Sequence, residues 1–247
     1  PIKILLIDIE TSPNLAHVWG LWNQNVGLTQ LLASTEMMSF AAKFLGDKRT
    51  QFYSTFHDGK EAMVQKAWDL LNEADAVMGW NSRGFDEKHL NREFLEAGLT
   101  PPSPYRSLDL MVAVKKKFRL PSNKLQYVST LLGTQGKVQH SGHQLWIDCL
   151  AGDEKAWRSM RKYNIQDVDL LQEVYEVLKP WIDGHPAVGL YDDIEEDSCT
   201  NCGGTELRRE WHAYTTLGKF QRFVCLGCGK WGRSGKRVAS VEIRSAA

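Results

Sequence analysis

The sequence lacks any apolar run near the roughly 18 consecutive residues that a membrane-spanning helix needs. Its N-terminal apolar stretch, Pro1-Ile2-Lys3-Ile4-Leu5-Leu6-Ile7, is cut short by Asp8 before it reaches the length of a signal peptide. The expectation is a soluble intracellular protein, cytoplasmic and with no membrane partner. Internal repeats and low-complexity tracts are missing too, so neither a repeat array nor a disordered scaffold is indicated. Net charge is nil, because 30 Lys/Arg offset 30 Asp/Glu. Cysteine is scarce, and four of the five fall in two close pairs, which points to a metal site in a reducing compartment rather than to disulfides. The fifth, Cys149, has no cysteine-catalysis motif around it and reads as a small buried hydrophobe.

The zero net charge conceals a division along the chain. Residues 1–182 hold 21 basic and 21 acidic side chains, residues 183–197 none and 6, and residues 198–247 9 and 3. This predicts a neutral body over 1–182, an acidic linker over 183–197 and a basic tail over 198–247. Such a tail suits phosphates, although solubility alone would also account for it.

Within the body, residues 2–7 read as a strand buried on both faces. Strands follow at 38–45 and 51–56, joined by a turn at Gly46-Asp47-Lys48-Arg49. Helical spacing marks 59–73, 85–97, 124–132 and 154–178, with short strands at 76–80 and 107–109. A meander of strands that then alternates with helices predicts an α/β fold, a mixed sheet flanked by helices on both faces. Residues 14–35, with Trp19 and Trp22, fit neither period and read as an insertion or long loop.

Three acidic motifs carry the chemistry. Asp8 and Glu10 are two apart on the first strand, so both project from one face at its end; leaving two such acids unpaired is costly, and a divalent cation would offset that. Asp86 follows the 76–80 strand in Asn81-Ser82-Arg83-Gly84-Phe85-Asp86, where an N-cap is the simplest role. Tyr163 and Asp167 are four apart in a helix and share a face. Taken singly each motif is ordinary. Asp109 reads as the cap of a following helix.

In this order, D-x-E, N-x3-F-D and Y-x3-D resemble the three motifs of the DEDDy-type 3′-to-5′ exonucleases, whose fold is ribonuclease-H-like and whose superfamily includes polymerase proofreading domains. The resemblance spans roughly residues 2–178. It implies a five-stranded mixed sheet and a phosphodiester hydrolase acting on DNA or RNA. Asp8, Glu10, Asp86 and Asp167 would bind two Mg²⁺ (or Mn²⁺) ions, with Asp8 bridging them and Asp86 acting mostly through water, while Tyr163 would orient the attacking water. In-line hydrolysis uses one ion to acidify the water and a second, about 3.5–4 Å away, to hold charge on the leaving oxygen. The implied partner is a nucleic acid with a single-stranded 3′ end. A structure-specific nuclease or ribonuclease, or a non-catalytic nucleic-acid-binding protein, are the alternative readings of the same fold.

Around this site, Thr11 matches the family position whose backbone meets the terminal nucleotide. Asn81 and Phe85 are further candidate substrate contacts, and Trp19 and Trp22 could stack on bases or belong to the core. Lys115, Lys116, Lys117, Arg119 and Lys124 form either a track for phosphates or a solvated helix face.

In the tail, Cys199-x2-Cys202 and Cys225-x2-Cys228 present four thiolates to one tetrahedral ion, so a structural Zn²⁺ is expected. Gly203 and Gly229 follow the pairs, and 210–224 reads as a hairpin, which together resemble a zinc ribbon. Arginines and lysines interleaved with Trp211, Tyr214, Phe220, Phe223 and Trp231 have the composition of a nucleic-acid surface; a protein-docking module or a stabilising flap remain open.

Overall fold

The first strand, β1 (Ile4–Thr11), owes its position to Ile4-Leu5-Leu6-Ile7, buried on both faces. The structure, a computed structural model, describes residues 1–134 and 142–243. After β1 the chain leaves the sheet as an arm of two short strands, β2 (Leu15–Ala16) and β3 (Leu31–Ala33), paired antiparallel. It returns as β4 (Met37–Phe44) and, after the positive-φ turn residue Gly46, continues as β5 (Gln51–Ser54). Next come α1 (Lys60–Glu73), β6 (Ala76–Gly79), α2 (Asp86–Glu96), β7 (Arg106–Asp109) and the helices α3 (Leu110–Lys117), α4 (Leu125–Leu131), α5 (His143–Leu150) and α6 (Glu154–Leu178). Among the described residues no helix is long and apolar enough to cross a membrane.

The five-stranded sheet has the order β5-β4-β1-β6-β7. Its β5-β4-β1 part is antiparallel and its β1-β6-β7 part parallel, the mixed sheet that the sequence predicts. Pleating sends alternate residues to opposite faces. Ile7, Ile9 and Met37 join a core with Met63, Ala67 and Leu71 of α1 and Leu90 and Phe94 of α2. Met38 turns the other way, to Leu145 and Cys149 of α5 and Trp157, Met160 and Tyr163 of α6. Helices thus cover both faces, and Asp8 and Glu10, alternating with Ile7 and Ile9, share the face of α6. Glu93 of α2, fully buried, accepts the N–H of Met37 (2.8 Å) and is balanced by Arg92 (2.9 Å) and Lys60 (3.5 Å). That contact fixes where the arm re-enters the sheet.

The described chain divides into two compact units, one of Lys3–Lys115 with Arg119–Val174, the other of Pro1–Ile2, Lys116–Phe118 and Tyr175–Ala247. The second unit holds α7 (Val188–Tyr191) and a three-stranded antiparallel sheet of β8 (Leu207–Tyr214), β9 (Gly218–Cys225) and β10 (Trp231–Ser240), in the order β10-β9-β8. The hairpin expected over 210–224 is β8-β9, closed by Thr215, whose Oγ1 accepts the N–H of Gly218 (3.1 Å). Residues 183–197 carry α7 and fold onto the first cysteine pair's segment through Val188 N–H to Thr200 O (3.0 Å). The short strands β2 and β3, in the stretch read as a loop, and α7, in the stretch read as a linker, have no counterpart in the sequence reading, and neither do α5 and β10. The apolar residues of α5 are nearly continuous and favour no period, and β10 is charged and interrupted by Gly232 and Gly235.

Candidate active site

The end of β1 and the middle of α6 bring together three of the four acids that the motifs single out. Ligating oxygens of Asp8, Glu10 and Asp167 all lie within 4.8 Å of one another. Asp8 and Glu10 are half-buried and Asp167 is buried. Two unit charges about 4 Å apart repel by about 1 kcal/mol in bulk water and about 4 kcal/mol near a protein surface, and a cation held by three carboxylates at this spacing would offset that repulsion. The donors are hard oxygens, which fits a divalent ion of the Mg²⁺ or Mn²⁺ type.

Tyr163, one turn before Asp167, donates its hydroxyl to that carboxylate. Burial, then the charges of Glu10, Asp167 and Asp8, push its pKa well above the ordinary tyrosine value. The phenol therefore stays protonated and acts as a donor.

Asn164 is a site residue that motif spacing did not reveal. It is fully buried, its amide donates to the carbonyl of Asp8 (3.1 Å) and to Asp8 Oδ2 (2.7 Å), and its own Oδ1 accepts the hydroxyl of Ser39 (3.2 Å). One side chain thus fixes both the backbone and the carboxylate of Asp8. The available signal was an asparagine inside a long helix, a poor position for it unless the amide has tertiary partners.

Asp86 begins α2 and stands apart from the three-carboxylate cluster. Its Oδ1 accepts the N–H of Ile9 (3.1 Å), the residue between Asp8 and Glu10, so it is anchored to the same strand. The expected N-cap role does not occur, because Phe85 occupies the cap position without a side-chain cap bond. Burial raises the Asp86 pKa to about 7, opposed by the Ile9 N–H and assisted by the charge of Asp109. Asp109 does cap α3, accepting from Val112 N–H (3.2 Å), and it also accepts from the N–H groups of Asn81 (3.1 Å) and Arg83 (3.2 Å). It thereby shapes the turn that leads to Asp86, where Asn81 adopts a positive φ of 65°.

Asp8, Glu10 and Asp167 open on a cavity of about 550 Å³ lined also by Tyr163, Trp80, Asn81, Lys115 and Lys124. Trp80 is a half-buried wall whose indole N–H donates to Asn123 O (3.0 Å). The expected phosphate track divides. Lys116 and Lys117 bind Asp183 (3.0 and 2.8 Å) and hold its carboxyl well below the usual range, chiefly through their hydrogen bonds. Arg119 is exposed and is not part of the cavity wall. Neither are Thr11, at the register slip after Glu10, and Phe85, exposed and set against the His89 ring at 4.5 Å.

In the second unit the Sγ atoms of Cys199, Cys202, Cys225 and Cys228 all lie within 4.8 Å of one another, with the pairs Cys199–Cys228 and Cys202–Cys225 at 3.6 Å. A tetrahedral ion with Zn–S bonds of about 2.3 Å would place its sulfurs about 3.8 Å apart. The donor set fits such an ion and leaves no open position on it. Gly203 and Gly229 take positive φ after each pair, as the turn in each knuckle requires.

A family model described as the RNase_H superfamily matches residues 5–179, the stretch that contains every carboxylate of the site. The chain belongs to the RNase_H superfamily. No curated protein matches it. Among solved structures, the family B DNA polymerase from the hyperthermophilic archaeon Pyrobaculum calidifontis is similar, with a TM-score of 0.54 and 15% sequence identity over 88% of this chain. The chain corresponds to 31% of that polymerase's length, so the likeness is one of fold. The match to the RNase_H superfamily ends before the cysteine pairs, which the family model leaves to the rest of the chain.

Proposed function

We propose that this member of the RNase_H superfamily is a metal-dependent 3′-to-5′ exonuclease of the DEDDy type, acting on single-stranded ends of DNA or RNA and releasing nucleoside monophosphates. The observation that carries this reading is the convergence of Asp8, Glu10 and Asp167 beside a buried Tyr163. Two Mg²⁺ (or Mn²⁺) ions held by these acids, with Asp86 contributing through water, would supply an acidified water and charge compensation at the leaving 3′ oxygen. Tyr163 orients that water through its hydroxyl. Asn164 holds Asp8 in place, and Lys115 and Lys124 on the cavity wall meet substrate phosphates.

The division of labour is part of the proposal. Residues 1–182 would hydrolyse, and residues 198–247, built around one structural Zn²⁺, would help hold nucleic acid. Exposed Trp211, Tyr214 and Trp231 among the tail's arginines and lysines support that role. Cysteines arranged for a metal rather than joined in disulfides suit a reducing compartment such as the cytoplasm.

The test is to incubate 5′-labelled linear DNA and RNA oligomers, and a circular single strand, with the protein and Mg²⁺. The expected result is a ladder shortening from the 3′ end, with the circle left intact. Cleavage of the circle, or a ladder undiminished by Asp8→Ala, would overturn the reading.

A further inference from the structure

We propose that the arm after β1 is a base-stacking platform, on which Trp19 and Trp22 take the flat faces of unpaired nucleobases a few nucleotides from the strand's 3′ end. The proposal rests on the nuclease reading above and gives the substrate a second point of attachment.

The arm is a built structure. At its base the N–H of Ser12 donates to Glu36 O (2.8 Å), the Thr35 hydroxyl donates to Ser12 O (2.6 Å), and Thr35 N–H donates to Asn14 Oδ1 (2.8 Å). Farther out, His17 N–H donates to Gln30 O (2.9 Å), the Gln30 amide donates back to His17 O (2.9 Å), and Gly27 N–H donates to Gln30 Oε1 (2.9 Å). These bonds tie residues 12–17 to 27–36, and the segment they close, in which the Gln24 amide donates to Trp22 O (2.8 Å), carries Trp19 100% exposed, Leu21 88% and Trp22 84%, next to Leu28 at 89%. Large apolar groups held out to water by an ordered framework mark a binding surface.

Charge and position identify the occupant. From Thr11 to Thr35 there is no Asp, Glu, Lys or Arg, in a chain where 24% of residues are charged. Such a surface neither recruits phosphates nor repels them, and indole rings stack on any base because every base presents a π-face. The cations that phosphates need stand elsewhere in the same compact unit, as Lys115 and Lys124 on the cavity wall. The arm also grows from the strand that supplies two of the site's carboxylates. Trp19 lies nine residues beyond Glu10, at most about 30 Å of extended chain. A strand whose end sits among Asp8, Glu10 and Asp167 would run bases toward the arm and phosphates toward the lysines.

Two measurements on the full chain test this. With Mn²⁺ and Mg²⁺ withheld and no chelator added, so that the zinc stays bound, a labelled single-stranded 12-mer should bind Trp19→Ala/Trp22→Ala about ten- to a hundredfold more weakly than wild type, the range expected for lost base stacking. Trp19→Phe/Trp22→Phe should recover most of that loss. Because no ion is released by stacking, the slope of log Kd against log salt should be the same in all three proteins. With Mg²⁺ present, the alanine variant's deficit in kcat/KM should grow with substrate length, at least about tenfold larger on the 12-mer than on a dinucleotide, and lie mainly in KM. Unchanged 12-mer binding, a loss independent of length, or an arm that proves to join two copies of the chain in sedimentation, lost in the alanine variant, would each overturn the platform. If wild type hydrolyses nothing while 12-mer binding still depends on the two tryptophans, the platform stands and the nuclease reading falls.

Discussion

Asn164 and His185 show how much a single buried polar group decides. Asn164 divides its amide between the carbonyl and carboxylate of Asp8 and takes a hydroxyl from Ser39. Asn164→Ala should cost about 1–3 kcal/mol of stability, the usual result of leaving buried partners unsatisfied. It should also raise the Mn²⁺ concentration for half-saturation, read by electron paramagnetic resonance, since Asp8 loses its brace. His185 donates from Nδ1 to Pro186 O (2.8 Å), which fixes the neutral tautomer and makes Nε2 the acceptor for the Tyr175 hydroxyl (2.8 Å). Burial holds its pKa below the ordinary histidine value. The unfolded chain therefore takes up a proton first, so this contribution is complete above about pH 6.5 and is lost as pH falls below that. Denaturant unfolding of His185→Gln should show a shallower loss of stability between pH 7 and pH 5 than wild type. An equal slope would count against it.

At the scale of elements, what could be read from the sequence was what is local. The helix expected at 154–178 forms as α6 over the same residues, because its apolar spacing runs unbroken by Gly or Pro. The pairing of Asp8 with Glu10 follows from strand alternation alone. The links from Asn164 to Asp8, 156 residues apart, and from Asp109 to Asn81 depend on the finished sheet, and no spacing announces them. The arm and β10 escaped for a related reason: one is apolar without period and the other charged and glycine-broken, and each is ordered by its partners. Close approach between elements is similarly hidden. Gly79 ends β6 where an added Cβ would stand 2.6 Å from that of buried Ser82. Gly79→Ala should displace the turn before Asp86, destabilise the fold by about 1–3 kcal/mol and lower Mg²⁺-dependent hydrolysis; a thermal melt and a rate assay would show both.

For the whole molecule, two metal sites of different chemistry divide the work in this account. Hard oxygens on one compact unit suit an exchangeable ion with catalytic use, and four thiolates on the other suit a closed structural one. Elemental analysis should find one zinc per chain. Cys199→Ser should lose it, unfold the three-stranded sheet by near-ultraviolet circular dichroism, and flatten the salt dependence of oligonucleotide binding, because part of the basic surface goes with it. Retained zinc in that variant, or an unchanged salt slope, would mean that the tail serves another purpose.

The central claim is that Asp8, Glu10 and Asp167 jointly hold the cation that hydrolysis requires. Anomalous diffraction from a crystal soaked in MnCl₂ tests it most directly. The account predicts manganese coordinated by oxygens of these three residues, with Tyr163 alongside; manganese absent there, or bound elsewhere while hydrolysis proceeds, would contradict it.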